Sequence, residues 1–87
     1  MKVLIVEDEV MAQQSLLRML NRLFPEVKVV GTCRSVEDTV RFLEEPEHRV
    51  DVIFMDVELS DGVCFELFKR TEVKAKVVMT TAYDTYA

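Results

Sequence analysis

Two strand-length runs, Val3-Leu4-Ile5-Val6 and Val52-Ile53-Phe54-Met55, contain no polar residue at any position. A strand with one wet face alternates apolar and polar side chains. A strand that is apolar throughout must be covered on both faces, the condition of a parallel sheet flanked by helices. Each run closes in acid: Glu7-Asp8 follows the first, and Asp56 ends the second. If the two strands are neighbours, about 4.8 Å apart, three carboxylates meet at one end of the sheet. Each pair then repels by roughly 3 kcal/mol at about 5 Å and an effective dielectric near 20. Such a cluster calls for a compensating cation.

The rest of the chain alternates between the same two patterns. Leu16, Leu17, Leu20, Leu23 and Phe24 recur at helical spacing and predict a helix from Glu9 to Phe24, stopped by Pro25. Val27 to Cys33 is β-branched and reads as a strand. Ser35 followed by Asp38 begins a capping pattern, and Val36, Val40 and Leu43 predict a short helix ended by Pro46. Val50 to Asp56 is the third strand. Ser60-Asp61-Gly62 signals a turn, after which Val63, Cys64, Leu67 and Phe68 fall on one helical stripe. Lys76 to Thr80 is a fourth strand, and Tyr83 to Ala87 resembles the first turn of a further helix. The order βαβαβαβ with short connections predicts a doubly wound parallel sheet with helices on both faces. Such sheets bind ligands beyond the carboxyl ends of their strands, where strand order reverses. Glu7, Asp8 and Asp56 occupy that place.

Composition narrows the function. Eighty-seven residues allow one domain, and 49% hydrophobic content makes it globular. A formal charge of −5, with Arg18, Arg34, Lys69 and Arg70 scattered, argues against nucleic-acid contact by this segment. Cys33 and Cys64 lack metal-ligand spacing and read as two reduced thiols. No signal-peptide pattern opens the chain, and no apolar stretch nears the ~20 residues of a membrane span. A soluble, cytoplasmic protein is expected.

Hard oxygen donors at this site suit Mg²⁺, with Asp8 and Asp56 in direct contact and Glu7 holding a bound water. A strand-end carboxylate beside Mg²⁺ can also attack phosphorus and become an acyl phosphate. Thr81, at the end of the fourth strand, can donate a hydrogen bond to a phosphoryl oxygen, and small Ala82 leaves room for the group. Taken singly, each residue has a plainer explanation: a Glu-Asp pair is often solvated charge before a helix, and Asp56 could be an N-cap. The joint pattern is far more specific.

That pattern, Val-Glu-Asp-Glu with Phe-Met-Asp-Val and Thr-Thr-Ala-Tyr, resembles the receiver domain of two-component response regulators over all 87 residues. The segment from Asp56 to Gly62 and the ending Thr-Thr-Ala-Tyr-Asp-Thr-Tyr-Ala are similar to the LytR/AlgR type, which carries a LytTR-class DNA-binding domain. The resemblance implies a flavodoxin-like fold and Asp56 as the aspartate phosphorylated by a histidine kinase. It implies Mg²⁺ held by Glu7, Asp8, Asp56 and the backbone carbonyl of Glu58, with Thr81 as the switch hydroxyl. The family pattern continues into a fifth strand, a lysine that contacts the phosphoryl group, and a fifth helix. These 87 residues stop at Ala87, before all three, so the sheet is expected with four strands, as the N-terminal portion of a receiver domain without its output domain. An exposed edge on the fourth strand then suggests a homodimer by edge pairing or a domain swap. DNA would be reached only through the output domain. Tyr83 and Tyr86 could add to a dimer surface or pack on the chain itself. Two other readings compete: an interaction module that is never phosphorylated, and an aspartyl-phosphate phosphatase. The second wants Asp-x-Asp after the first strand, where this chain has Glu7-Asp8-Glu9.

Overall fold

Apolar content fixes which strands lie inside the sheet. The computed structural model describes residues 1–56, 58–59, 62–63 and 65–80. In it β1 (Lys2–Val6) is hydrogen-bonded on one side to β2 (Lys28–Cys33) and on the other to β3 (Val52–Asp56), and β3 pairs in turn with β6 (Lys76–Thr80). The order is β2-β1-β3-β6, and every pairing is parallel. The two uninterrupted apolar runs are therefore the two inner strands. Strand order reverses between β1 and β3, as the doubly wound reading requires.

Each face of the sheet has its own helical cover. α1 (Val10–Leu23) lays Leu16, Leu17 and Leu20 over Val3, Ile5, Val29, Val52 and Phe54. α2 (Val36–Glu44) and α3 (Phe65–Arg70) cover the opposite face, where Val36, Val40 and Leu67 pack with Leu4, Val6, Ile53 and Met55. Odd residues of β1 serve one core and even residues the other, as strand alternation dictates. Leu4, Ile5, Val6, Ile53 and Met55 are wholly enclosed. Burial of each such side chain stabilises the fold by about 1.5–3 kcal/mol.

The helix ends follow from local chemistry. Ser35 accepts the Asp38 N–H through its hydroxyl at 3.0 Å, the predicted cap of α2. Residues before proline avoid the helical region, and both helices stop accordingly: Phe24 and Glu45 take ψ of 71° and 120° ahead of Pro25 and Pro46. Beyond α2, His48 stacks on Phe42 with ring centroids 3.9 Å apart, and its Nδ1 lies 2.8 Å from the Phe42 carbonyl oxygen. The same Phe42 ring rests over Gly31, where the β1–β2 register slips by one residue. A Cβ on Gly31 would come within 2.8 Å of Phe42 Cε2, so the missing side chain makes room for the ring.

Three details differ from the periodicity. Leu23 and Phe24, expected on the apolar stripe of α1, are about half exposed, Leu23 as the last residue of the helix and Phe24 as its C-cap. Val63 precedes α3 instead of entering it: β4 (Glu58–Leu59) and β5 (Gly62–Val63) form a small antiparallel pair. Phe68 is exposed, whereas Leu67 enters the core. Among the described residues, no helix is long and apolar enough to cross a membrane.

Candidate metal centre

The register of the inner strands assembles the acidic site. Val6 lies opposite Met55, so the next residues, Glu7 and Asp56, come side by side on the face that carries α1. Asp56 in turn lies opposite Thr80 at the end of β6. The chain leaves β1 at Glu7, whose N–H donates to the Cys33 carbonyl at 2.8 Å, and enters α1 at Val10. Asp8 falls in the bend between. One carboxylate oxygen from each of Glu7, Asp8 and Asp56 lies within 4.8 Å of the others. The convergence expected of these three acids is thus the observed geometry.

Crowding shows in the protonation of Glu7. Its side chain is buried, and its carboxyl is pushed up to about 8. Loss of solvation is the main cause, followed by the hydrogen bond to Asp56, the Asp56 charge and the Asp8 charge. The Asp8 N–H, donating to Glu7 Oε2 at 3.2 Å, pulls the other way and is outweighed. Without a cation, a proton between Glu7 and Asp56 relieves the repulsion.

A hard divalent cation fits this donor set. All three groups are carboxylates, and oxygens within 4.8 Å of one another approach the about 4.2 Å that separates opposite ligands of one Mg²⁺. Asp8 and Asp56 can ligate directly and Glu7 can act directly or through water.

Of the other expected participants, Glu58 lies in β4 opposite Val63. Thr81 and Ala82 fall outside the described residues, as do Cys64, Tyr83 and Tyr86. Lys76 opens β6 at the end of the sheet remote from Asp56, and Lys69 sits in the last turn of α3. Two contributors escaped the sequence reading. Gln13, buried on α1, donates through Nε2 to the Glu7 carbonyl at 2.5 Å, and Arg34 Nε lies 3.3 Å from the Asp8 carbonyl oxygen. A signal for Gln13 was available: it continues the stripe of Leu16, Leu17 and Leu20, where periodicity calls for an apolar residue.

The model of the response regulator receiver domain family matches residues 3–87. The chain belongs to that family. Sensory transduction protein LytT of Bacillus cereus is 38% identical over 90 residues, and transcriptional regulatory protein YpdB of Escherichia coli is 36% identical over 90 residues. Each match takes in all of this chain but only 35% and 36% of the relative, so the chain spans about a third of the length of the curated relatives it matches. Among solved structures, the response regulatory domain of protein mrkE from Klebsiella pneumoniae superposes with a TM-score of 0.80 at 31% identity, over 99% of this chain and 70% of that one. The flavodoxin-like fold and the LytR/AlgR resemblance both agree with these relatives. Receiver domains are regulatory phospho-acceptors of two-component systems that bind Mg²⁺ in an acidic pocket and partner with histidine kinases. In this chain the acidic group lies at the C-terminal ends of the inner strands β1 and β3.

Proposed function

We propose that this receiver accepts a phosphoryl group on Asp56 from a sensor histidine kinase in the cytoplasm and thereby controls transcription through a LytTR-type DNA-binding domain. The observation that carries the reading is the meeting of Glu7, Asp8 and Asp56 oxygens within 4.8 Å at the strand ends. In the transfer, an Asp56 carboxylate oxygen attacks the phosphorus of a phosphohistidine. The new O–P bond forms as the P–N bond breaks, and its electron pair stays on the imidazole nitrogen, which takes up a proton. Glu7, Asp8, Asp56 and the Glu58 backbone carbonyl hold Mg²⁺. The metal, when bound, supplies neutralising charge to the phosphoryl oxygens.

Thr81 serves as the switch hydroxyl and donates to a phosphoryl oxygen. Phosphorylation then shifts an existing equilibrium between inactive and active states. Dimerisation through the β6 edge, or by exchange of elements, would couple that shift to paired DNA half-sites.

The test is Mg²⁺ binding and beryllofluoride titration of the natural full-length protein, with Asp8→Asn and Asp56→Asn alongside. Wild type should bind both, Asp8→Asn should lose Mg²⁺, and Asp56→Asn should lose the phosphoryl mimic. Unchanged Mg²⁺ affinity in both variants would falsify the assignment.

A further inference from the structure

The polar contacts around the acid pair point to a residue whose work is to aim it. We infer that Gln13 is a positioning residue for the metal site, its amide fixing the Glu7–Asp8 peptide so that both acids face Asp56. The inference rests on the reading of the acid cluster as a Mg²⁺ site.

The β1 ladder ends where the Glu7 N–H meets the Cys33 carbonyl. From there to Val10 no strand or helix holds the backbone, yet Asp8 must aim its carboxylate within this span. A planar peptide leaves two soft dihedrals per residue. A change in Glu7 ψ or Asp8 φ that the other does not cancel swings the Asp8 side chain, and fixing the Glu7–Asp8 plane restrains both. Gln13 Nε2 holds that plane by its carbonyl at 2.5 Å, and Arg34 Nε reaches the next carbonyl, that of Asp8, at 3.3 Å. The clamp is itself anchored, since the Gln13 backbone N–H donates to the Glu9 carbonyl at 3.0 Å. One residue thus ties the start of α1 to both sides of the bend.

Core filling does not account for Gln13. Its position belongs to the apolar stripe of α1, and it is 8% exposed. Leucine or methionine would fill that volume without removing an amide from water, a cost that only a good hydrogen bond offsets. Among the described residues, no buried side-chain nitrogen or oxygen lacks a partner, and Gln13 Nε2 has the Glu7 carbonyl as its own. Groups that orient metal ligands from behind commonly change metal affinity by about 10–100-fold when removed. Gln13 acts through backbone, which places its effect at the lower end.

The natural full-length protein is compared with Gln13→Met, which keeps volume and loses the donor, with Gln13→Arg, which keeps an N–H donor, and with Asp8→Asn. Mg²⁺ affinity is measured by calorimetry at pH 8, and thermal unfolding is recorded without metal. Gln13→Met should weaken Mg²⁺ about tenfold while its metal-free melting temperature stays at or above wild type, and Gln13→Arg should recover most of the affinity. If Gln13→Met does not fold, Gln13→Ala replaces it with the same expectation. Affinity within about twofold of wild type in the donor-free variant overturns the role for Gln13 while Asp8→Asn still loses Mg²⁺. Equal loss in the Met and Arg variants also overturns it. Wild-type affinity in Asp8→Asn removes the metal site itself, and the inference with it.

Discussion

Mg²⁺ binding to this receiver should expel a proton. The Glu7 carboxyl is raised from 4.5 to about 8, so at pH 7 about nine in ten molecules carry a proton that a cation at the cluster must displace. Each pH unit below 8 then costs about 1.4 kcal/mol of binding. Mg²⁺ affinity should fall about tenfold per unit from pH 8 to pH 6 and level off above about pH 8.5. The same shift sets the metal-free stability. A folded pKa above the unfolded one means the contribution is whole below about pH 4.5 and is lost as pH rises through about 8. The difference between 8 and 4.5 caps that loss at roughly 5 kcal/mol. Calorimetry at pH 7 in buffers of different ionisation enthalpy counts the released protons, with about 0.9 expected for wild type and close to none for Glu7→Gln. Release of fewer than about 0.2 protons, or equal release from both proteins, refutes the reasoning.

Gly31→Ala should destabilise by about 1–3 kcal/mol in urea unfolding, because the new methyl meets a Phe42 ring that is stacked on His48; Phe42→Leu in the same chain should restore part of it. Ser35→Ala removes the α2 cap and should cost about 1 kcal/mol in the same assay. Arg70→Ala breaks a 2.6 Å pair with Glu37 that joins α3 to α2 at the surface, yet the midpoint should move by no more than about 0.5 kcal/mol. A loss above about 2 kcal/mol there would mean the pair is shielded from water.

How far the sequence could be read depended on the range of the interaction involved. The central strands were legible because Val3 to Val6 and Val52 to Met55 are apolar at every position, and that pattern has one structural solution. The acid site was legible because strand neighbours share register, so two acid-ended strands imply one cluster. The Ser35 cap and the proline-terminated helices are local chemistry. The Phe42 ring over Gly31 was hidden, since it joins residues 11 apart through a shift in β-register that no periodicity encodes. The β4–β5 pair escaped for another reason: two-residue strands are too short for a period-2 signal, and Val63 read equally well as helix. Leu23, Phe24 and Phe68 misled because hydrophobicity says which side chains can be buried, not which of them a neighbouring element covers.

The fold and the site make opposite demands on the same strands. Repulsion at Glu7, Asp8 and Asp56 pushes the C-terminal ends of β1 and β3 apart, while Leu4, Ile5, Val6, Ile53 and Met55, all fully enclosed just behind, hold them together. Five such side chains at about 1.5–3 kcal/mol each are of the same size as three pairwise repulsions of roughly 3 kcal/mol, and the Glu7 proton, by removing its share of the repulsion, tips the balance to the core. The apolar runs and the acids that close them are therefore one device: a rigid pair of strands that presents like charges at fixed spacing. A cation or a proton can relieve that charge, and a phosphoryl group on Asp56 would alter it again. Response to charge is then built into the strand ends, with the enclosed core keeping the strands from yielding.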